Sequence, residues 1–124
     1  MIIGIPSEIK AGEKRVAMSP TNVQSLADKS VKVLIQGDAG SAAGYPDAEY
    51  IAAGATVTAD RAEIFANADI ILQVQSFGSN NENSDNDLAL LRSGQLVIGM
   101  MDPLASPQAA QAVADRGATA IALE

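Results

Sequence analysis

Short apolar runs alternate with helix-forming segments along the whole chain, and this alternation constrains the fold more than any other feature. Six runs are typical of buried strands, at residues 2–5, 31–35, 55–58, 69–74, 96–101 and 118–123. Strands that alternate with helices need right-handed crossovers, which build a parallel sheet with helices on both faces. We therefore predict one three-layer α/β domain with a mostly parallel sheet, a size that suits 124 residues.

The segments between the runs carry helix start and stop signals. Four starts are marked by a proline or an N-capping side chain: Ser19-Pro20, Pro46, Asp60 and Ser106-Pro107. Gly54 and Gly117 each end a helix directly before a strand. The polar stretch 77–86 is predicted to be a loop, and the leucines at 88, 90 and 91 indicate a short helix after it.

Composition excludes several classes of function. The formal net charge is −7, so the surface repels nucleic-acid phosphates and anionic lipid, and no nucleic-acid partner is expected. The chain has no cysteine and no histidine, which removes disulfides, thiolate metal sites and the commonest general base. No apolar run approaches the roughly 20 residues of a membrane-spanning helix, so direct membrane insertion is not expected.

Candidate site residues follow the strands, because parallel sheets bind ligands at their carboxyl edge. Arg15 is either a clamp for a carboxylate or phosphate, or one charge of a solvated loop. Gln73 and Gln75 alternate on the fourth strand, where they either share a face toward a ligand or mark a strand end in solvent. Asp102 precedes a proline, and is either a proton acceptor or a turn residue.

No established catalytic motif stands out from these residues. The glycine-rich segment 37–44 lacks the lysine of a phosphate-binding loop and the spacing of the dinucleotide fingerprint, which favours an ordinary turn. The sequence also lacks a recognisable nucleophile–base pair and a recognisable metal-ligand cluster. We therefore predict no catalytic, cofactor-binding or metal-binding residue within residues 1–124.

The segments 3–8 (IGIPSE) and 12–20 (GEKRVAMSP) resemble the N-terminus shared by alanine dehydrogenases and the alpha subunit of proton-translocating NAD(P) transhydrogenase. Further segments resemble the same family in the same order: 37–40 (GDAG), 50–55 (YIAAGA), 68–74 (ADIILQV), 90–95 (LLRSGQ) and 117–124 (GATAIALE). The resemblance therefore covers essentially the whole chain. It implies the flavodoxin-like α/β fold of that family's N-terminal domain.

Two positions separate the branches of this family. The resemblance implies that alanine dehydrogenases carry a substrate-binding lysine at the position of Gln75 and a catalytic histidine at the position of Asp102. This chain keeps only Arg15 of that set, and its polar segment 79–87 is more similar to the transhydrogenase branch. The chain therefore looks closest to the transhydrogenase alpha subunit. An alanine dehydrogenase-like substrate domain and a non-catalytic binding module of the same fold stay open as alternatives.

The resemblance implies an oxidoreductase that transfers hydride between NAD(H) and NADP(H) and couples the transfer to proton translocation. The full alpha subunit would bind NAD(H), and the partner subunit NADP(H). Residues 1–124 would be the first domain of a two-domain subunit, with the NAD-binding Rossmann domain expected after Glu124. This chain alone would then be inactive and hold no cofactor.

The implied partners are that Rossmann domain, a second alpha subunit in a homodimer, and the membrane beta subunit. These would place the domain on the cytoplasmic side, peripheral to the inner membrane. Arg15, Gln73, Gln75 and Asp102 are the residues expected to face the interdomain cleft or a ligand.

Overall fold

The computed structural model describes residues 1–81 and 84–124, which form a six-stranded sheet between two layers of helices. The strands are β1 Ile2–Ile5, β2 Lys32–Gln36, β3 Thr56–Thr58, β4 Ile70–Gln75, β5 Leu96–Met100 and β6 Thr119–Ala122. The helices are α1 Pro20–Ala27, α2 Asp47–Ala52, α3 Arg61–Asn67, α4 Ser84–Leu90 and α5 Pro107–Asp115. Short 3₁₀ turns cover Ser41–Ala43 and Phe77–Asn80.

Each face of the sheet carries its own apolar core, because side chains alternate along the strands. On one face, Ile3, Ile5 and Ile35 pack with Val23 of α1 and Tyr50 of α2. On the other face, residues of β2, β4 and β5 pack with α3 and α5 in a cluster that includes Leu34, Ile64, Phe65, Ile71, Val97 and Val113. The sheet is therefore buried on both sides near its centre, as parallel sheets require.

The predicted three-layer α/β fold is confirmed, and every strand pair in the sheet is parallel. The strand order is β3-β2-β1-β4-β5-β6, whereas the flavodoxin-like order is 2-1-3-4-5. The difference arises because the chain adds two strands outward from β1 before it crosses back through α3. The direction of winding therefore reverses between β1 and β4.

The element boundaries follow the sequence signals, with one clear exception. The stretch 77–86 is not simply a loop: Phe77–Asn80 forms a 3₁₀ turn and Ser84 already begins α4, while residues 82 and 83 lie outside the described residues. Asp85 and Asp87 in the first turn of α4 suit the positive end of the helix dipole. The polar composition of this stretch therefore marks a helix start as well as a turn.

The capping signals are met in different ways. Asp60 caps α3, because its Oδ1 accepts a hydrogen bond from the Ala62 amide at 2.9 Å. Ser19 and Ser106 occupy the N-cap positions of α1 and α5, but neither side chain makes the capping bond. Ser106 instead donates to the Gly78 carbonyl at 3.3 Å, which ties the start of α5 to the 3₁₀ turn.

Within the described ranges, no helix has the length and apolar character needed to cross a bilayer.

Candidate functional site

The site begins where β1 and β4 part at the carboxyl edge of the sheet. These strands pair only through Ile3 with Ile70 and Gly4 with Ile71. Beyond that point the register of β4 against β5 is irregular between Leu72 and Gln75. The winding also reverses between β1 and β4, and doubly wound sheets bind their ligands in the crevice at such a switch point.

The carboxylate of Glu8 lies in this crevice. Its Oε1 accepts a hydrogen bond from the Val74 amide at 2.6 Å, and its Oε2 accepts one from the Gln75 amide at 2.9 Å. Burial raises the pKa of Glu8 above its usual value, although the two amide bonds act in the opposite direction. The two backbone amides at the switch point therefore donate to a carboxylate of the chain itself.

Glu13 brings Arg15 and Gln75 together beside the crevice. The Arg15 guanidinium donates to Glu13 from Nε at 2.9 Å and from Nη2 at 2.7 Å. The Gln75 side-chain amide donates to the same carboxylate at 3.1 Å. The hydrogen bond from Arg15 is the main reason that the pKa of Glu13 falls to about 2. The Arg15 side chain is 61% exposed, and its charge is balanced by Glu13.

A second hydrogen-bond network, separate from this cluster, includes Gln73. The Arg61 guanidinium binds both oxygens of Asp87, at 2.6 and 2.7 Å, and the two side chains are 17% and 3% exposed. Gln73 donates to Asp87 at 3.2 Å and accepts from Ser76 at 3.1 Å. Gln73 and Gln75 therefore contact different partners and do not converge on one point, because the β4 register shifts between Leu72 and Gln75.

Asp102 lies apart from both networks, in the turn that leads from β5 toward α5. Its backbone has a positive φ of 47°, and its side chain is exposed. Glu124 accepts hydrogen bonds from the amides of Met101 and Asp102, each at 2.6 Å. The geometry therefore agrees with the turn alternative for Asp102.

In the glycine-rich segment 37–44, Gly40 allows close packing. A Cβ on Gly40 would come within 2.5 Å of the Tyr50 ring, so glycine allows the loop to lie against α2. The Asp38 amide donates to the Asp47 carboxylate at 3.0 Å. A side-chain carboxylate thus occupies this amide, which agrees with the sequence interpretation of a turn.

The structure reveals contributors that the sequence patterns did not single out. Glu8 follows β1 closely and lies in the loop where ligand groups are expected, so its position was a usable signal. Arg61 and Asp87 are 26 residues apart in the sequence. No local pattern links such a pair. Among residues 1–81 and 84–124, no group of three or more acidic side chains is placed to hold a metal ion.

Comparison with known proteins identifies relatives across the whole chain. The chain is 35% identical over 124 residues to an alanine dehydrogenase of Methanococcus maripaludis and 35% identical to that of Bacillus subtilis. It is 33% identical to an NAD(P) transhydrogenase alpha subunit of Rhodospirillum rubrum. These matches cover all of this chain but only 31–32% of each relative, so the chain spans about a third of their length.

Solved structures give the same result. An L-alanine dehydrogenase superposes with a TM-score of 0.88 at 30% identity, over 98% of this chain and 32% of that one. A transhydrogenase from Sinorhizobium meliloti superposes with a TM-score of 0.87 at 34% identity, over 98% of this chain and 34% of that one. Residues 4–124 match the family described as "Alanine dehydrogenase/PNT, N-terminal domain", and the chain therefore belongs to that family.

Proposed function

We propose that this chain is the N-terminal domain of the soluble, NAD(H)-binding alpha subunit of a proton-translocating NAD(P) transhydrogenase. The named relatives include alanine dehydrogenases and transhydrogenase alpha subunits, and both are oxidoreductases. Their identities to this chain are similar, so the choice between the two branches rests on the site.

The observation that supports the transhydrogenase branch is the chemistry of position 75. Gln75 is neutral, and its amide donates to Glu13. A lysine at this position would supply a cation for a substrate carboxylate. Arg15 is the cation of the cluster, and its charge is already balanced by Glu13. The cluster is thus poorly suited to hold an amino acid or a keto acid.

The absence of histidine from the sequence supports the same branch. Reduction of a keto acid needs a proton donor beside the hydride acceptor, and histidine is the usual donor near neutral pH. Asp102 stands at the position implied for that histidine, but it lies in an exposed turn without a contact to the Arg15 cluster. A transhydrogenase that moves hydride between two nicotinamides binds no amino acid and has no need of this donor.

The residues at the switch point do not fit a dinucleotide. Its pyrophosphate would need free backbone amides and close approach over glycines. Here the amides of Val74 and Gln75 are taken by Glu8, and the turn after β1 is Pro6-Ser7-Glu8. We therefore assign NAD(H) to a separate Rossmann domain of the subunit, and NADP(H) to a partner subunit.

The assembly that we propose is the one expected for the transhydrogenase branch. The alpha subunit would pair with a second copy and dock on a membrane beta subunit, at the cytoplasmic side of the inner membrane. The Arg15, Glu13 and Gln75 cluster would then face the cleft between the two domains of the subunit.

The second candidate is an alanine dehydrogenase-like substrate domain. It is favoured by the identities of 35–36% to several alanine dehydrogenases, which are slightly above the 33% to the transhydrogenase subunit. The two candidates differ in whether Gln75 and Asp102 still support keto-acid chemistry.

Two chimeras test the proposal. Residues 1–124 replace the matched third of the Rhodospirillum rubrum transhydrogenase subunit in one, and of the Bacillus subtilis alanine dehydrogenase in the other. We expect the first, assembled with its partner subunits, to transfer hydride from NADH to NADP⁺. The second should show no NADH oxidation with pyruvate and ammonium until Gln75→Lys and Asp102→His are introduced together.

The possible results separate the candidates. Pyruvate- and ammonium-dependent NADH oxidation by the unmodified second chimera would establish the alanine dehydrogenase-like function. If both chimeras bind NADH but neither transfers hydride, the chain is a non-catalytic module of the same fold.

A further inference from the structure

Strand β4 contains a β-bulge at the switch point. Leu72 pairs with Ile98 and Gln75 pairs with Met100, so the chain advances three residues along β4 but only two along β5. Bulges are rare between parallel strands, and they re-aim the groups beside them. Successive amides of a regular strand point to opposite sides, whereas the amides of Val74 and Gln75 both reach a single carboxylate. The bulge therefore turns two backbone donors toward one point.

A glycine on the neighbouring strand makes room for this bulge. A Cβ on Gly99 of β5 would come within 2.5 Å of the Gln73 carbonyl oxygen. A backbone carbonyl cannot turn aside as a flexible side chain can, so a larger residue at position 99 would push the two strands apart. The glycine thus lets the bulge lie directly against β5. The bulge is therefore part of the packing of the sheet.

The bulge has the chemistry of a carboxylate receptor. Each oxygen of Glu8 accepts one amide, Oε1 from Val74 at 2.6 Å and Oε2 from Gln75 at 2.9 Å. Two N–H groups that meet two oxygens match the fork of a carboxylate, and hydrogen bonds to a charged acceptor are stronger than neutral ones. The charge of Arg61 attracts this carboxylate, while the charge of Glu13 repels it. The direct donors to Glu8 are thus the two backbone amides of the bulge.

The carboxylate in the receptor belongs to the loop that carries Arg15. This loop, residues 6–19, connects β1 to α1 and is fixed near both ends. The amide of Ser7 donates to the side-chain oxygen of the last residue of β2 at 3.0 Å. The carbonyl of Met18 accepts a hydrogen bond from the Tyr50 hydroxyl at 2.8 Å. Only the part between these two anchors is therefore free to take different positions.

The middle of the loop is open, and two carboxylates hold it to β4. Gly12 has a positive φ of 80°, and a Cβ there would meet no atom within 4 Å. Before this glycine, Glu8 binds the bulge. After it, Glu13 accepts from the Gln75 side chain at 3.1 Å and from Arg15 at 2.7 Å. Both carboxylates thus meet at Gln75, and the position of Arg15 depends on how the loop is held there.

We propose that the β4 bulge is a carboxylate receptor and that Glu8 is its intramolecular ligand, which fastens the loop and so positions Arg15. Glu8 is a positioning residue in this arrangement, because it acts on Arg15 through the loop. The receptor should accept a small free carboxylate such as formate once the Glu8 side chain is shortened. The proposal concerns contacts within this chain, so it does not depend on the branch of the family.

Chemical rescue by formate tests the receptor. Glu8→Ala removes its carboxylate, and Glu49→Ala is the matched control because it removes the same charge from an exposed position on α2. Nuclear magnetic resonance follows the shifts and hydrogen exchange of the Val74 and Gln75 amides in both variants and in the wild-type chain. Each protein is titrated with sodium formate, and sodium chloride at the same concentration is the salt control.

We expect both amides to exchange at least about tenfold faster in Glu8→Ala than in the wild-type chain. Formate should restore their protection and shift both resonances along one saturable curve, because one carboxylate binds both amides. The wild-type chain and Glu49→Ala should not respond to formate, since Glu8 already fills the receptor.

Limited digestion with trypsin at neutral pH reports the position of the loop. Three residues of the loop are trypsin sites: Lys10, Lys14 and Arg15. Cleavage at these sites should be at least about tenfold faster in Glu8→Ala than in Glu49→Ala, while cleavage after Lys32 of β2 is unchanged. Formate should not slow this cleavage, because a free carboxylate fills the receptor without fastening the loop. A general loss of stability would instead speed cleavage at Lys32 as well.

Two results with a folded Glu8→Ala chain would overturn the proposal: amide resonances that do not respond to formate, and an unchanged rate of cleavage in the loop. If Glu8→Ala does not fold, Glu8→Gln decides, because its side chain has the same shape but only one acceptor oxygen. Loss of protection at one of the two amides of Val74 and Gln75 then supports the proposal. Wild-type protection at both amides would mean that shape alone holds the loop, and would overturn it.

Discussion

At the scale of single residues, the Arg61–Asp87 ion pair connects several parts of the described chain. Arg61 binds Asp87 through two hydrogen bonds and also donates to the Ser7 carbonyl at 2.7 Å and to Gln36 at 3.0 Å. The pair thus joins α3 and α4 to the loop after β1 and to the end of β2. A buried ion pair adds little net stability over an apolar pair, but loss of one partner strands the other charge.

We therefore expect Asp87→Asn to lower the free energy of unfolding by about 3 kcal/mol, because the Arg61 charge loses its buried counterion. Asp85→Asn is the matched control: Asp85 lies in the same helix with the same charge, but its side chain is exposed. The control should change stability by less than about 0.5 kcal/mol. Urea unfolding followed by circular dichroism measures both. Equal stability of the two variants would mean that water replaces Asp87 around Arg61.

Site residues were only partly predictable from the sequence, and the reason is physical. Arg15 and Gln75 were placed at the carboxyl edge, and the structure does bring them to one carboxylate. The role of Glu8 was not foreseen, because it depends on the irregular register of β4, which frees the amides of Val74 and Gln75. The alternation of side chains along a strand predicted that Gln73 and Gln75 share a face. That prediction fails because of the same irregular register of β4.

At the scale of elements, close approach between α3 and β1 depends on a glycine. Gly4 lies in the centre of β1, and a Cβ built there would come within 2.6 Å of the Ile64 side chain and 2.7 Å of the Ala68 side chain. Both neighbours are fully buried, so neither has room to move aside. The glycine therefore sets how closely α3 packs on the sheet.

Gly4→Ala should lower the free energy of unfolding by about 1–3 kcal/mol, as expected for an overpacked core. Gly37→Ala is the control, because a Cβ at Gly37 meets no atom closer than 3.6 Å. Thermal melts of the two variants give the comparison. If Gly4→Ala melts at the same temperature as the wild-type chain, α3 can shift outward at little cost. Gly4 then does not limit how closely α3 packs on β1.

Element boundaries were largely predictable because they rest on local chemistry. Proline and aspartate at helix starts, and glycine before strands, act within a few residues, and each predicted strand and helix is found. The start of α4 was missed because Ser84 and Asp85 are equally typical of turns. What stabilises α4 is remote, since Asp87 is held by Arg61 of α3.

At the scale of the whole molecule, the layers and the parallel sheet could be predicted, but not the strand order. Alternation of strands and helices fixes the crossovers. It does not say after which strand the winding reverses. The reversal after β3 is set by α3, whose Ile64 and Phe65 pack against the sheet across the switch point.

Acid stability is a property of the whole chain, in which Glu13 has a particular role. The formal net charge is −7, and most carboxyl groups lose their charge as the pH falls toward 3. The pKa of Glu13 is lowered from 4.5 to about 2 by its hydrogen bonds with Arg15. A carboxyl whose pKa is lowered by folding stabilises the native state above its unfolded pKa. That contribution is lost as the pH falls from about 4.5 to about 2.

Arg15→Ala removes the main cause of that lowered pKa, so it should reduce the urea midpoint most at neutral pH. The difference from wild type should shrink steadily below about pH 4.5 and vanish only below about pH 2, where Glu13 becomes protonated in both proteins. Lys14→Ala changes the net charge equally at an exposed neighbouring position, and serves as the control. Urea midpoints of all three proteins measured from neutral to acid pH test this expectation. If the two variants follow parallel curves, the Arg15–Glu13 pair contributes only general charge, and the chain gains no specific acid stability from it.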